Sequence, residues 1–551
     1  MHAHCSRSWL TTISSTLRSF WTARPPQGQQ LIPRQRRLGA FLALILMLPF
    51  ATAAHPQQRV ASGERELLPP TMYVTNHGFT PDSQAIVAVT RDSPYPPAAG
   101  HLYHVSLADN PPTRISAGLN AHGFRITSDS RTVIFHSLGL DGRFANLHSV
   151  PLTGTTPIQL NPSQFTGQVG GYQLTPDEQS VIYETTWPHE PALYHVPLTG
   201  GPSIRLTPSL PGSWSLSRFF ATTNDHVVCW MYAVQESGPP RAVLYSIPRR
   251  GGPPVVLADY DDIDRASFET QNITFSPDGN YVVYYIIAGG QGRLESVPIN
   301  GPTPIDPRLQ LHTAPITANH MNGGAAKGRV ILGPELYERV VFTTQKWIPT
   351  QALTKTMVYS VGIRGDAPLQ LSHDSMDSVL GVTIAANNQT IVFTTGFVER
   401  RLNVYRTTIT GEDLVQVNPS SHPFTQYPSG VVISPNSAHI AYGYDGYLLT
   451  TPVSATQVLT QSLDTAGTWA FTANNHALIY TNWRRTGLFM APLAGSPSRL
   501  LRTDSSGLIS YSVAPFGSNI AYNRELRGLY LLNLANLPPL QPIYLPLIRT
   551  P

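Results

Sequence analysis

Four aspartates recur in one short setting. Asp82, Asp129, Asp177 and Asp278 each stand two residues after a Thr or Ser, with Pro or Ser between. Carboxylates at repeated positions invite a reading as paired acid and base. Each copy occupies the same slot of the same local pattern, however, so the four are spread along the chain and the pattern reads as a turn. His104, His148 and His195 likewise share a repeat position in Leu-x-His strands, which points to packing or solvent contact and not to a metal cluster. The densest acidic run is Asp259-Tyr260-Asp261-Asp262-Ile263-Asp264. Hard oxygen ligands so close in sequence could hold Ca²⁺, but the run lacks the Gly and terminal Glu of an EF-hand loop and reads as a solvated loop.

Other chemistry finds less support. Cys229 sits inside the apolar run Val227-Val228-Cys229-Trp230, the setting of a small buried hydrophobe. The only other cysteine is Cys5, so the chain beyond its leader has no internal disulfide. No Gly-x-Ser-x-Gly elbow, His-Glu-x-x-His or paired Cys-x-x-Cys occurs. Gly289-Gly290-Gln291-Gly292 lies between two strand patterns and opens no helix, so it is no phosphate loop. No catalytic, cofactor-binding or metal-binding residue is therefore assigned. Two segments suit partner contact instead. Trp187-Pro188-His189-Glu190 and Trp483-Arg484-Arg485 lie in hairpin loops, where aromatic and arginine side chains make strong binding anchors.

The elements that position these residues come from a repeat. One unit reads Phe275-Ser276-Pro277-Asp278-Gly279-Asn280, then the strand Tyr281–Tyr285, then Leu294-Glu295-Ser296-Val297-Pro298-Ile299 and the turn Asn300-Gly301-Pro302. Proline presets φ, aspartate bonds neighbouring amides and glycine accepts positive φ. The strand is apolar on both faces, as suits a strand covered on both sides. Copies start their strand at Ile86, Val133, Val181, Val227, Val282, Val340, Ile391, Ile440, Leu478 and Ile520. The steps are 47, 48, 46, 55, 58, 51, 49, 38 and 42 residues. Some copies are degenerate: Asn387-Asn388 and Asn474-Asn475 replace Pro-Asp, and Ala514-Pro515-Phe516-Gly517 lacks the acid. Four short strands with their turns need about 40–50 residues.

The Ser-Pro-Asp-Gly turn, the apolar strand, then Leu-Tyr-x-Val and a Gly hairpin resemble TolB-type propeller repeats. These also occur in the propellers of prolyl-oligopeptidase-like enzymes, but no hydrolase sequence follows here. The resemblance covers residues 70–540. It implies an all-β β-propeller of about ten four-stranded blades, closed as one wide ring or as two smaller rings. The longest step, Val282 to Val340, holds a loop-like stretch (Pro307 to Arg329) and is the candidate ring boundary. The strands near Met72-Tyr73-Val74 and Leu529–Leu532 are expected to share a closing blade.

The formal charge of +4 belongs to the leader. Residues 1–54 hold six arginines and no acid; without them 31 basic residues face 33 acidic ones. No Lys/Arg run remains, so nucleic acid is not an expected partner. Arg34–Arg37, the apolar run Leu38–Phe50 and Ala51-Thr52-Ala53-Ala54 have the layout of a secretory signal peptide. The expected domains are a signal peptide at 1–54, a linker at 55–70, propeller repeats at 71–537 and a Pro-rich tail at 538–551. That tail holds Tyr544-Leu545-Pro546-Leu547, a short match to the tails of exported proteins from filamentous phototrophic bacteria. The expected function is a noncatalytic exported scaffold at the cell envelope or exterior. Its partner would be a protein or polysaccharide on a propeller face, with no stable membrane span after leader cleavage and no cofactor. The alternative is an extracellular enzyme acting on a polymer such as a glycan, by lyase or hydrolase chemistry.

Overall fold

The protein is described by a computed structural model over residues 64–537, apart from short internal stretches. The leader and the Tyr-Leu-Pro-Leu tail lie outside the described residues. The described residues form antiparallel sheets joined in sequence order. Blade 3 shows the plan: Gln168–Leu174, Ser180–Thr186, Ala192–Pro197 and Ile204–Arg205 pair in that order. We call these positions A to D. The second strand of each blade begins at or within one residue of a repeat start expected from sequence. Examples are Ala85–Arg91, Thr132–Leu138, Arg339–Ile348 and Asn519–Arg524. Burial on both faces explains their unbroken apolar runs; every residue of Ala477–Asn482 is buried.

Eight sheets have four strands and one has seven. The larger sheet is two blades joined through one strand, Glu64–Phe79. Its later half pairs with Ala85–Arg91 as strand A of blade 1, through Tyr73↔Arg91 to Phe79↔Ile86. Its earlier half pairs with Arg527–Asn533 as strand D of blade 10, through Glu64↔Leu532 and Leu68↔Leu529. The register breaks between Leu68 and Tyr73, where Pro69 and Pro70 have no amide to give to a ladder. The expected closing blade is thus present, and it starts earlier than the sequence boundary at residue 71. Pro69-Pro70 concealed the strand, whose apolar residues Leu67 and Leu68 are buried.

The choice between one ring and two is settled by packing. Ten apolar clusters each join two consecutive blades. Trp230 and Tyr284 meet between blades 4 and 5. Val283 and Val340 meet between blades 5 and 6, across the candidate ring boundary. Leu68, Ile86, Ala521 and Leu529 meet between blades 10 and 1. The blades therefore close as a single ring of ten. A strands of neighbouring blades touch, so strand A is innermost. Most D strands have two residues, which leaves little unpaired edge at the rim.

The A–B turns carry the repeated aspartates. Thr80 Oγ1 donates to Asp82 Oδ1 at 2.5 Å, and the same Oδ1 accepts from the Gln84 amide at 3.0 Å. Blades 2, 3 and 5 repeat this geometry at Asp129, Asp177 and Asp278. Of the degenerate copies, Asn474 does the same, its Oδ1 accepting from Thr472 Oγ1 and from the His476 amide. Asn387 keeps only the amide half, accepting from Gln389 at 3.1 Å, because Ala385 has no hydroxyl. The next residue has positive φ in every described copy, but it is Gly only at 279 and 517. Ser83, Ser130, Glu178, Asp225, Asn388, Ser437 and Asn475 hold the others. Several of these side chains accept from the turn of the preceding blade. Ser130 Oγ takes the Asp82 amide at 3.0 Å, Ser437 Oγ takes Asn387 at 2.9 Å and Ser83 Oγ takes Phe516 at 2.8 Å.

Candidate functional site

A meander of four strands puts its A–B and C–D turns at one end and its B–C hairpins and D–A crossovers at the other. The repeated aspartates lie at the turn end. Asp177 is held down to about 2: partial burial opposes ionisation, but the Thr175 hydroxyl, the Gln179 amide and Arg249 outweigh it. Arg249, 8% exposed, reaches Asp177 at 2.9 Å and Asp225 at 2.5 Å, so blades 3 and 4 are tied together there. These carboxylates act as turn formers and blade ties.

The histidines separate. His104 and His195 share a register position, opposite Val87 and Ile182. His148 does not. It lies opposite Phe135, in the slot that Tyr194 fills opposite Tyr183. The Leu-His spacing is one residue shorter than Leu-x-His, and a shift of one residue turns the side chain to the other face of the strand. His148 stacks on Phe135 and its Nε2 lies 3.0 Å from Ser137 Oγ. Cys229 is fully buried, and burial pushes its thiol up to about 12. Such a thiol is unreactive at neutral pH.

The acidic run at 259–264 finds its countercharge within the chain. Arg241 Nη2 lies 2.5 Å from Asp259 and its Nε lies 3.4 Å from Asp261, while its guanidinium sits 6.0 Å from the Trp214 ring centre. Asp264 lies outside the described residues, as do Gly289-Gly290 and the segment Trp187–Glu190. Among the described residues, no group of three or more His, Cys, Asp or Glu could hold a metal ion.

The hairpin end holds two polar clusters. The first spans blades 2 and 3 and was not anticipated from sequence. His122 and His136 are cross-strand partners, and both contact the Phe144 ring at centre distances of 5.2 and 4.7 Å. His136 donates from Nε2 to Gly170 O at 3.0 Å and meets Tyr172 edge-on. Burial lowers His136 to about 4. Nearby on blade 3, burial raises Glu184 to about 7, against the hydrogen bond from the Gly171 amide. Neutral imidazoles packed on aromatic rings are shape-setting groups. The sequence signal for them was weak, because His122 and His136 become neighbours only once the A–B register is known.

The second cluster lies on the B–C hairpins of blades 9 and 10. The Asn482 side chain accepts from the Thr486 amide at 2.8 Å and shapes the first hairpin. Trp483 projects from it with 62% of its surface exposed. Arg484 stacks 4.9 Å from the Trp483 ring centre, and Arg485 is exposed beside it at φ 56°. On the next hairpin Arg527 donates to Tyr73 Oη at 3.0 Å and lies 5.1 Å from that ring's centre. The Trp483-Arg484-Arg485 segment singled out from sequence is thus displayed on a hydrogen-bonded hairpin, and the Arg–Tyr pair lies at the corresponding hairpin of the adjoining blade.

A closed ring of four-stranded meanders, with its last blade completed by the first strand, defines a β-propeller. No family model matches the chain, and the curated proteins yield no match. Among solved structures it is similar to a puromycin-hydrolyzing peptidase from Mycobacterium tuberculosis, at 11% identity and TM-score 0.34. That alignment covers 62% of this chain and 53% of the peptidase. It is also similar to TolB from Acinetobacter baumannii, at 18% identity and TM-score 0.24, covering 41% of this chain and 52% of TolB. A eukaryotic initiation factor aligns over 83% of this chain and 90% of its own, at 11% identity and TM-score 0.44. The chain spans about half the length of the first two. None of the three reaches a TM-score of 0.5, and the fold assignment rests on this chain's own strand pairing. No helix among the described residues is long and apolar enough to cross a membrane.

Proposed function

We propose that this propeller is an exported, noncatalytic binding scaffold that meets its partner at the hairpin end of blades 9, 10 and 1. The observation that carries this reading is the exposed Trp483 with Arg484 stacked on it. An exposed indole on a hydrogen-bonded hairpin, with a guanidinium already stacked on it, has less side-chain freedom to lose in a complex, and Trp and Arg are frequent anchors of interfaces. Other prominent ionic groups of the described chain are engaged with one another, several of them between blades. Glu64 bridges Arg502 and Arg524, Arg249 bridges Asp177 and Asp225, and Glu295 takes the hydroxyls of Tyr260 and Tyr284. Export is supported by the order of basic, apolar and small residues in 34–54.

The test is photo-cross-linking in the producing cell. A photoreactive residue at exposed Thr71, next to Tyr73, should trap a defined partner, and one at exposed Asn280 on the turn end should not. No adduct at Thr71, or cleavage of an extracellular glycan by the purified protein, would overturn the scaffold reading.

A further inference from the structure

We infer that the Trp483-Arg484-Arg485 hairpin and the Arg527–Tyr73 pair capture an acidic polypeptide segment with closely spaced carboxylates. This inference rests on the scaffold reading and names the chemistry of the partner.

Blade 4 provides an internal precedent. There Arg241 packs against an indole, Trp214, and its outer edge is filled by Asp259 and Asp261 of the run Asp-Tyr-Asp-Asp. Blade 9 repeats the Arg-on-Trp arrangement with a shorter stacking distance, 4.9 Å against 6.0 Å. No described carboxylate makes an ion pair with Arg484, Arg485 or Arg527. Stacking fixes the guanidinium plane and leaves its N–H edges outward, in the geometry that takes a carboxylate with two parallel hydrogen bonds. Two guanidiniums so stacked, Arg484 and Arg527, and the exposed Arg485 have no described acid partner and form a site whose missing component is negative charge.

The same geometry favours a peptide over a sugar polymer. A pyranose ring binds an open aromatic face. Here guanidinium groups lie 4.9 Å from the Trp483 ring centre and 5.1 Å from that of Tyr73. What is presented is a set of hydrogen-bond donors with apolar backing, suited to Asp or Glu side chains on an extended segment.

The test is fluorescence anisotropy of a labelled synthetic peptide containing Asp-Tyr-Asp-Asp, titrated with the purified protein. The chain should bind it, less tightly as salt increases. Arg484→Gln with Arg485→Gln should weaken binding about tenfold or more. Arg131→Gln with Arg250→Gln makes the same charge change on exposed turn-end residues and should leave binding unchanged. Unlabelled polygalacturonate should not compete. No binding, or equal binding by the Arg484/Arg485 variant, would overturn the inference. So would competition by polygalacturonate that depends on the same two arginines, since the site would then read an acidic glycan. A cross-linked partner at Thr71 that persists when the peptide fails would retain the scaffold reading and reject only its acidic chemistry.

Discussion

The Phe516 amide donates to the Ser83 hydroxyl at 2.8 Å, across 433 residues of sequence. This bond joins the turn of blade 10 to the turn of blade 1, at the same seam that the strand Glu64–Phe79 closes by pairing. Ser83 has positive φ, a conformation that costs a non-glycine residue energy. The side chain there satisfies the amide of the neighbouring blade. Ser83→Ala keeps the backbone cost and loses the bond. It should destabilise the protein by about 1 kcal/mol, the net worth of a typical hydrogen bond. Urea unfolding of the variant beside a control at exposed Ser209, Ser209→Ala, checks this.

The C–D turns use glycine for a different reason. Gly200 has φ +81°, and a Cβ there would stand 2.8 Å from Ile158 Cγ2 of the preceding blade. Gly517, in the A–B turn of blade 10, has the same φ with nothing within 4 Å of a Cβ. Gly517→Ala should therefore cost about 1–2 kcal/mol from conformation alone. Gly200→Ala should cost about 1–3 kcal/mol more from overpacking. Adding Ile158→Ala should recover part of the Gly200→Ala loss and none of the Gly517→Ala loss. Thermal unfolding of the four variants checks the order.

Much of the blade plan was legible in the sequence because it is local. The turn at Asp278, the strand Tyr281–Tyr285 and the Gly301 hairpin each follow from neighbours within a few residues. The ten starts from Ile86 to Ile520 fixed the blade count for the same reason. Ring closure was legible only in part. The pairing of Leu68 with Leu529 is a contact between chain ends, and Pro69-Pro70 masked its strand pattern. His148 shows the opposite hazard: it resembles His195 by neighbourhood but lies one residue out of register. Of the binding face, the sequence showed the Trp483 hairpin. It could not show that Tyr73, more than 400 residues away, stands beside Arg527 on the next blade.

Buried ionisable groups give the stability a pH dependence of two opposing signs. Burial lowers His77, His136 and His148 to about 4 each. The unfolded chain gains these protons near 6.5 and the folded chain only near 4, so stability is lost as pH falls between those values. Glu184, raised to about 7, behaves in reverse. Its unfolded form ionises near 4.5, so stability is lost as pH rises from 4.5 through 7. Glu184→Gln should raise the urea midpoint at pH 8 and change it little at pH 4.5. His136→Gln with His148→Gln should flatten the fall between pH 6.5 and 4.

Glu295 braces blades 4 and 5. Its carboxylate accepts from Tyr260 Oη at 2.5 Å and Tyr284 Oη at 2.7 Å, and lies 3.4 Å from Arg308 Nε. Glu295→Ala removes the acceptor from two buried hydroxyls and the partner from a half-buried guanidinium. The expected loss is about 3 kcal/mol. Glu295→Gln, which keeps an acceptor oxygen, should lose less. Denaturant unfolding of the two variants gives both values.

The central claim is one ring of ten blades, and a pair of distances tests it most directly. Spin labels can be placed on exposed turn residues of blades 1, 5 and 10 by substituting Gln84, Asn280 and Phe516 with Cys in a chain carrying Cys5→Ser, leaving Cys229 buried and unlabelled. Pulsed electron–electron resonance then reads the separations. In one ring, blades 1 and 10 are neighbours and blades 1 and 5 lie nearly opposite. The Gln84–Phe516 distance should be short and the Gln84–Asn280 distance long. Two rings of five would make blades 1 and 5 neighbours and reverse the order, and that result would contradict the account.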